Sequence, residues 1–265
     1  MEHAHRVHQR TLDAVRTALQ RLHIPHTFLY RGRFRSAAGY DLVVSVGGDG
    51  TLLQVAHAGN TPPLLGVNSD PARSEAVFCA ATPQTFQRLL RQALAGQLRA
   101  LALHRLRVRL NRRVLHTRVL NDVLIAHPNP ATMSRYRLRI GKAREDQKSS
   151  GLWVATAAGS SSAILAAGGH RLPWTARRYQ YRPRELYQGR LTHGRLSGSV
   201  LSPGSHVDVT WLTRDGALFI DGPHVRYPLR FGDRVVVDLS PAEPLHILGL
   251  SRRHLLSKRS ASSTR

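Results

Sequence analysis

The chain has 265 residues, which is enough for two modest domains or one large one, each with its own core. Hydrophobic residues make up 42% and charged residues 21%, and no run approaches the roughly 18–20 apolar residues of a membrane-spanning helix. The formal net charge of +23 would attract polyanionic substrates and speed their capture. These values exclude a membrane partner and predict a globular protein.

The cellular compartment is indicated by the cysteine content and the N-terminal segment. Cys79 is the only cysteine, which excludes an intramolecular disulfide and fits a reducing compartment. The first 22 residues lack an apolar core followed by a small-residue cleavage site, so they do not form a secretory signal. We therefore expect a cytoplasmic protein.

The basic residues are almost all arginines. Of the 39 basic residues only Lys142, Lys148 and Lys258 are lysines. The arginines are spread from Arg6 to Arg265, with short clusters at 105–118, 135–144 and 171–195. A nucleic-acid-binding protein usually concentrates its charge in a stripe or a tail. Because the arginines are dispersed along the sequence, nucleic acid is not the expected partner.

The first hundred residues alternate between helical and strand patterns. We predict a helix at about 3–22, a strand at 42–46, a helix from 51, a strand at 64–67 and a helix at about 83–94. Alternation of this kind predicts an α/β N-terminal domain with an open, mostly parallel sheet, which we place at residues 1–103.

The pattern then changes to strands joined by turns. Strands are predicted at 105–110, 114–126, 136–140, 207–212, 217–221 and 234–239, with a helical insertion at about 161–167. We expect a β-rich, mainly antiparallel domain at residues 104–245. Residues 246–265 form a C-terminal tail that could pack back on the first domain.

A glycine-rich loop follows the first predicted strand. It reads Gly47-Gly48-Asp49-Gly50-Thr51 and leads into a helix. The glycines let a ligand approach the backbone, and the free N–H groups at the helix start favour a phosphate. A carboxylate there makes sense if Asp49 holds Mg²⁺, or if it accepts the proton of a hydroxyl that attacks the phosphate. The alternative is a tight turn in which Asp49 is the helix N-cap.

Two further stretches carry polar groups in positions that could bind a nucleotide. Thr156 to Ser162, with Gly159, Ser160 and Ser161, is a Gly/Ser loop between a strand and a short helix. Asn121 and Asp122 interrupt an apolar strand, and buried polar groups need partners, which an adenine or a ribose could supply. Turn or backbone hydrogen bonds would satisfy the pair equally well.

Together the three stretches resemble the NAD kinase family, whose pattern is a GGDGT loop, an Asn-Glu or Asn-Asp pair, and a late Thr…Gly-Ser-Thr loop followed by Gly-Gly. The likeness extends over residues 41 to 250 and includes Gly66-Val67-Asn68-Ser69-Asp70-Pro71 and Ile220-Asp221-Gly222. NDVLIAHPNPATMSR and SSGLWVATAAGS are similar to the plant-type NADH kinase branch. GGDG alone would also fit the related lipid kinases.

The resemblance implies an NAD kinase-like two-domain fold and an activity that phosphorylates the 2′-hydroxyl of NAD or NADH with ATP and Mg²⁺ or another divalent cation. Asp49 matches the catalytic aspartate, while Gly47, Gly48, Gly50 and Thr51 match the phosphate loop. The implied dinucleotide-binding residues are Asn121, Asp122, Lys148, Ser150, Thr156, Gly159, Ser160, Ser161, Ser162 and Asp221. No residue is assigned as a metal ligand. Family members form dimers or tetramers, so a homodimer or homotetramer is expected.

Three positions depart from the larger family. Ser150 replaces an aspartate, Ala163 replaces a tyrosine, and Asp122 shortens the glutamate of the pair. The plant-type branch shares the first two changes. The loss of an acid at Ser150, two residues from Lys148, predicts that NADH is used at least as well as NAD. The alternatives are a non-catalytic nucleic-acid-binding protein on a nucleotide-binding fold, or a lipid kinase.

Overall fold

The computed structural model describes residues 2–58, 62–189, 194–242 and 244–250. The helices are α1 Glu2–Arg21, α2 Asp49–Ala56, α3 Phe86–Leu94 and the short α4 Ala163–Ala166. The strands are β1 Val43–Gly47, β2 Leu64–Asn68, β3 Ala100–Leu103, β4 Leu106–Leu110, β5 Arg113–Val114, β6 Asp122–Ala126, β7 Ser134–Ile140, β8 Ala143–Ser149, β9 Leu152–Thr156, β10 Tyr179–Pro183, β11 Ser199–Leu201, β12 Val207–Trp211, β13 Asp215–Ile220, β14 Val225–Arg230, β15 Arg234–Leu239 and β16 Leu245–Leu248.

The chain forms two compact units. The first comprises the chain up to Ala102 and again from Leu245, and the second comprises Leu103–Pro244. The first holds a sheet in the order β1-β2-β16-β3, in which β1 and β16 both pair parallel to β2. Of the predicted C-terminal tail at 246–265, residues 251–265 lie outside the described residues.

The first unit is built on a buried parallel pair of strands. All five residues of β2 are buried, as expected for a strand covered on both faces. Helix α1 buries Thr11, Val15, Ala18 and Leu19, which lie on one helical face. The Thr11 hydroxyl donates to the carbonyl of Ser69 (3.1 Å), so α1 also holds the loop that follows β2.

The second unit contains two six-stranded antiparallel sheets. Their orders are β11-β10-β9-β6-β13-β14 and β5-β4-β15-β12-β7-β8. Residues from both sheets share one core, in which Tyr136 and Trp211 are fully buried with parallel rings. The expected architecture, an α/β N-terminal part and a β-rich C-terminal part, is confirmed.

Candidate nucleotide-binding and catalytic residues

The glycine-rich loop lies where two parallel strands end. β1 ends at Gly47, which pairs with Asn68 at the end of β2. The carboxyl ends of β1 and β2 therefore meet at one edge of the sheet, and ligands of open α/β sheets bind at such edges. The N-cap of α2 is Gly48, so Asp49 is the first residue inside the helix and not its cap.

The carboxylate of Asp49 is oriented by the backbone of a neighbouring loop. Its two oxygens accept the N–H groups of Val77 and Phe78, each at 2.9 Å. A carboxylate can accept about four hydrogen bonds, so these two do not by themselves prevent it from taking a hydroxyl proton. The carboxylate is held in one orientation and is only partly buried.

Gly66 allows the Val77–Phe78 loop to approach Asp49. A Cβ on Gly66 would lie 2.8 Å from the carbonyl oxygen of Phe78 and 2.9 Å from Cα of Cys79. Burial, with the Asp49 carboxylate nearby, raises the pKa of the Cys79 thiol to about 12. That thiol therefore stays protonated, and Cys79 acts as a small packing residue and not as a nucleophile.

The three glycines of the loop differ in what the fold requires of them. A Cβ on Gly47 would clash with the side chain of Thr51, and one on Gly48 would lie 3.3 Å from Oγ of Ser74. A Cβ on exposed Gly50 would meet nothing within 4 Å. The protein's own packing therefore explains Gly47 but not Gly50.

In the second unit, Asp221 fixes the backbone of the Asn121–Asp122 pair. Its carboxylate accepts the N–H groups of Leu120 (3.0 Å), Asn121 (2.8 Å) and Asp122 (3.0 Å). Asp221 has a φ of 49°, and its own N–H donates to the Asp122 carbonyl (2.9 Å). The role that the structure gives Asp221 is thus to position the pair.

The side chains of the pair form a small polar network. Nδ2 of Asn121 donates to Oδ2 of Asp122 (3.1 Å), and Oδ1 of Asn121 accepts from the Ser162 hydroxyl (3.1 Å). The Asp122 residue is only 4% exposed. Burial, followed by the negative charge of Asp221, raises the pKa of Asp122 to about 7. Asn121 therefore links a buried acid to the late loop.

The late loop is locked onto the same pair. The Thr156 hydroxyl donates to the Leu120 carbonyl (2.6 Å) and accepts the Gly159 N–H (2.9 Å). A Cβ on Gly159 would clash with the carbonyl of Asn121, so only glycine fits there. Ser160 is buried and its hydroxyl accepts the N–H of Leu172 (2.9 Å).

Ser161 and Ser162, by contrast, are half-buried. The fold therefore gives the serines of the late loop different roles. Ser160 holds the loop together, whereas Ser162 contacts Asn121.

Lys148 and Ser150 lie on either side of the end of β8. Nζ of Lys148 lies 4.8 Å from the ring centroid of Tyr187, and the Ser150 N–H donates to the carbonyl of Arg184 (3.0 Å). Arg184 lines a cavity of about 500 Å³ in this unit. The other lining residues are Trp153, Ala163, Ala166, Ala167 and Glu185. Ala163, one of the departures noted above, thus borders open space.

Known proteins resemble this chain in sequence. Residues 7–98 match the family model described as "ATP-NAD kinase N-terminal domain". The chain is 37% identical over 255 residues, 88% of its length and 78% of the relative's, to "Probable NADH kinase" of Oryza sativa subsp. japonica. It is 35% identical over 220 residues, 74% of its length and 69% of the relative's, to "NADH kinase" of Arabidopsis thaliana. The chain belongs to the NAD kinase family. The resemblance to that family and to its plant-type branch is confirmed.

Solved structures show that this NAD kinase family member shares the family fold. The structure described as "Yeast NADH Kinase complexed with NADH" aligns with a TM-score of 0.73 at 19% identity, covering 85% of this chain and 68% of that one. The structure of an NAD kinase from Archaeoglobus fulgidus in complex with ATP aligns with a TM-score of 0.73 at 21% identity, covering 92% and 91%. Both likenesses concern the fold alone.

Sequence reasoning missed several residues that this NAD kinase family member uses to build the sites. The N–H groups of Val77 and Phe78 hold Asp49, and backbone donors leave no side-chain signal in a sequence. Asn68 is 7% exposed, donates to the Ser74 carbonyl (2.8 Å) and accepts the Asp70 N–H (3.0 Å). The available signal for Asn68 is the Gly-Val-Asn-Ser-Asp sequence at the end of β2, because a polar run at a strand end predicts an organised loop.

The described residues of this NAD kinase family member contain neither a membrane-spanning helix nor a cluster of metal-binding side chains. No helix among them is long and apolar enough to span a bilayer. They also contain no group of three or more His, Cys, Asp or Glu side chains suited to hold a metal ion.

Proposed function

We propose that this protein transfers the γ-phosphate of ATP to the 2′-hydroxyl of the adenosine ribose of NADH and NAD, giving NADPH and NADP. Family membership supports the reaction class, and the geometry supports the assignment of individual residues. The observation that carries the assignment is the Asp49 carboxylate, oriented by two backbone N–H groups at the edge of the parallel strands.

Asp49 is the proposed general base. In the proposed step it accepts the proton of the 2′-hydroxyl while that oxygen forms a bond to the γ-phosphorus, and the bond from the γ-phosphorus to the β–γ bridging oxygen breaks to release ADP. A positioned base contributes typically about 10²–10⁴-fold to such a rate. Because the two N–H bonds fix the carboxylate beforehand, little reorganisation is needed at the moment of reaction.

The loop before α2 is the proposed phosphate site. Helix N-termini favour phosphate through their N–H groups and dipole. Gly50 supports this placement, because the chain's own packing does not require a glycine there but a closely approaching phosphate would. Gly47 and Thr51 shape the loop, since the Thr51 side chain occupies the space where a Cβ on Gly47 would lie.

The Asn121–Asp122 pair, with Ser162, is the proposed site for the adenosine ribose. Ribose hydroxyls both donate and accept, so a carboxylate, an amide and a serine hydroxyl are suited to hold them. The network is rigid because Asp221 fixes its backbone and Gly159 fits tightly under Asn121. Thr156 and Ser160 support the loop from within and are not proposed to touch the ribose directly.

A divalent metal fits the proposed reaction as a companion of ATP. Mg²⁺ usually keeps several waters and is bound by one or two carboxylates together with substrate phosphates. Asp49 is the acid of the loop that could contribute such a carboxylate, and the described residues offer no larger cage. When bound, the ion would neutralise phosphate charge during transfer.

The decisive experiment is a coupled assay for NADPH and NADP formation with purified protein. NAD and NADH are each tested with ATP and with polyphosphate, in the presence of Mg²⁺ and of a chelator. We expect product with ATP and both acceptors, and its loss with chelator. Phosphorylation of a diacylglycerol or sphingoid base, without NADP(H) formation, would instead favour the lipid kinase, and no transfer to any acceptor would favour a binding protein.

Assembly and compartment belong to the same proposal. We expect a homodimer or homotetramer in the cytoplasm. A single cysteine cannot form an intramolecular disulfide, which suits a reducing compartment. Light scattering on protein eluting from a size-exclusion column measures the mass of the oligomer. A monomeric mass at micromolar concentration would contradict the expected homodimer or homotetramer.

A further inference from the structure

One surface of the second unit gathers cationic side chains that are far apart in the sequence. The sheet β5-β4-β15-β12-β7-β8 buries one face in the core and exposes the other. We define the cationic face as the outward surface of β4, β15, β12, β7 and β8. Strand pairing places eight arginine or lysine side chains and three aspartates on it, a formal net charge of five positive.

The charges of the cationic face are layered. Asp208 and Asp238 are nearly buried, with side chains 7% and 4% exposed. Both carboxylates accept hydrogen bonds from more exposed arginines of the same face. Arg139 and Arg234 donate to Asp208. Arg107 donates two hydrogen bonds of 2.9 Å to Asp238. The side chains of Arg139 and Arg234 are about half exposed. The carboxylates thus hold the guanidinium groups in place while positive charge faces outward.

Like charges also lie directly opposite each other on β7 and β8. The register pairs Arg139 with Arg144 and Arg135 with Lys148. Like charges in directly opposite positions destabilise a sheet, and an anion lying between them would relieve that repulsion. Along β7 the outward arginines recur every second residue, at roughly 6.8 Å. The face therefore presents a regular, preorganised array of cations.

We propose that the cationic face binds the phosphate backbone of a nucleic acid without regard to sequence. Arginine forks match phosphate oxygens, and a guanidinium already held by a carboxylate keeps further N–H donors for them. Nucleic-acid interfaces are polar and strongly positive, whereas protein interfaces have apolar cores depleted of charge. The outward positions of these strands include one apolar residue, Val236, which is itself buried, and no aromatic residue. The exposed Tyr187 lies beside Lys148 at the β8 edge of the face.

A second copy of the chain is a poor occupant of the same face. A symmetric contact would bring two surfaces of the same positive sign together. The fold removes part of the dispersion that argued against nucleic acid. β4 carries arginines of the 105–118 cluster, and β7 and β8 carry those of the 135–144 cluster, on the same sheet.

The test compares two double charge reversals of equal size. Arg135→Glu with Arg144→Glu alters the cationic face at two exposed positions, and Arg226→Glu with Arg230→Glu makes the same change in net charge on β14 of the other sheet. Thermal melting confirms that both variants fold. Fluorescence anisotropy then follows binding to a labelled DNA duplex of roughly 20 base pairs, from about 50 to about 200 mM salt.

We expect the wild type to bind with an affinity that falls steeply with salt. The face variant should weaken binding at least about ten-fold and reduce the salt slope by about two, since each lost phosphate contact removes about 0.9. The β14 variant should stay within about three-fold of wild type, because it lowers only the net charge of the protein and leaves the cationic face intact. The face variant undergoes the same change in net charge, so the difference between the two variants measures the contribution of the face. Equal loss in the two variants would overturn the assignment to this face.

Two further arms complete the test. Polyglutamate of matched charge should bind much more weakly than the duplex. Equal binding would contradict recognition of a phosphate backbone and would favour an acidic protein as the partner. A change in the oligomer mass of the face variant, without loss of duplex binding, would make this surface a contact between copies. If the wild-type protein shows no binding to the duplex at the lowest salt concentration, the proposal is wrong.

Discussion

Asp49 is the residue on which the proposed reaction depends. An asparagine in its place cannot take a proton, and its NH₂ group would face the N–H of Val77 or Phe78. We expect Asp49→Asn to lower kcat by about 10²–10⁴-fold and to have a slightly lower melting temperature. Asp70→Asn, an acid of the same unit, serves as the control in steady-state kinetics. If Asp49→Asn keeps more than about half of kcat, the carboxylate is only a structural anchor.

Asp122 links the protonation of the proposed acceptor site to the stability of the fold. Its pKa is raised from 3.8 to about 7, so the folded state holds this proton more tightly than the unfolded state does. The stabilising contribution of the neutral carboxyl is fully present below about pH 3.8 and is lost as the pH rises through about 7. Asp122→Asn cannot ionise.

We therefore expect Asp122→Asn to melt above wild type at about pH 8.5 and to lose that advantage at about pH 5. Differential scanning calorimetry without ligand measures both values. The control is Asp146→Asn, because the pKa of exposed Asp146 is lowered by its hydrogen bonds with Arg137. Parallel melting curves for wild type and Asp122→Asn at both pH values would show that Asp122 is not the buried acid described here.

A substitution at Ser150 tests why the enzyme would use NADH at least as well as NAD. Oxidised nicotinamide carries a positive charge that a nearby carboxylate would attract, by about 1 kcal/mol in a wet site. We expect wild type to use NADH at least as well as NAD, and Ser150→Asp to shift kcat/KM toward NAD by about five-fold. Ser150→Asn is the neutral control of similar size. If wild type strongly prefers NAD, or if Ser150→Asp leaves the ratio unchanged, the charge at position 150 does not set the acceptor preference.

At the scale of elements, the late loop and β6 act as one part. Gly159 lies against the carbonyl of Asn121, and a Cβ there would clash with backbone that cannot rotate away. We expect Gly159→Ala to lower stability by about 1–3 kcal/mol and to abolish measurable dinucleotide binding. Ser162→Ala, which removes only the hydroxyl on Asn121, should weaken binding without the loss of stability. Calorimetric titration with NADH, alongside chemical denaturation, separates the two, and normal binding by Gly159→Ala would refute this coupling.

The sequence predicts elements well where burial produces a clear period. Helix α1, β1, β2, β12 and β15 lie within about two residues of their predicted bounds. The predicted strand at 114–126 is wrong in its middle, because the Asp221 carboxylate binds the N–H groups of residues 120–122. β8 was missed because its outward positions carry charges and its inward ones carry Gln147 and Ser149, so no apolar alternation is present.

The motifs identify the candidate site residues, but they do not show which of these residues bind backbone groups of the protein and which remain available to a ligand. Asp221 and Ser160 look like ligand-binding residues in the sequence, and the structure engages both with backbone groups. The partners of Asp49 lie 28 and 29 residues away in the chain, a pairing that only the folded backbone defines.

At the scale of the whole molecule, the last described strand completes the first unit. β16 pairs with β2 and lies between β2 and β3 in the sheet. We expect a chain ending at Pro244 to keep the second unit folded but to lose the first, because β2 would lack a neighbour on one side. Limited proteolysis followed by mass spectrometry should find cuts within residues 2–102 and protection of 103–244. Equal protection of both parts would show that β16 is dispensable.

The position of β16 also orders events during synthesis. Residues of the first unit leave the ribosome first, yet their sheet lacks an inner strand until residue 248 has been made. At about 5–20 residues per second, β2 waits roughly 9–36 s for that strand, while the contiguous second unit can already fold. We therefore expect the second unit to fold before the first, the reverse of the usual order in which the N-terminal part folds first. During that interval the buried strand β2 exposes apolar residues and an unpaired edge, which makes the nascent first unit a natural client for a chaperone.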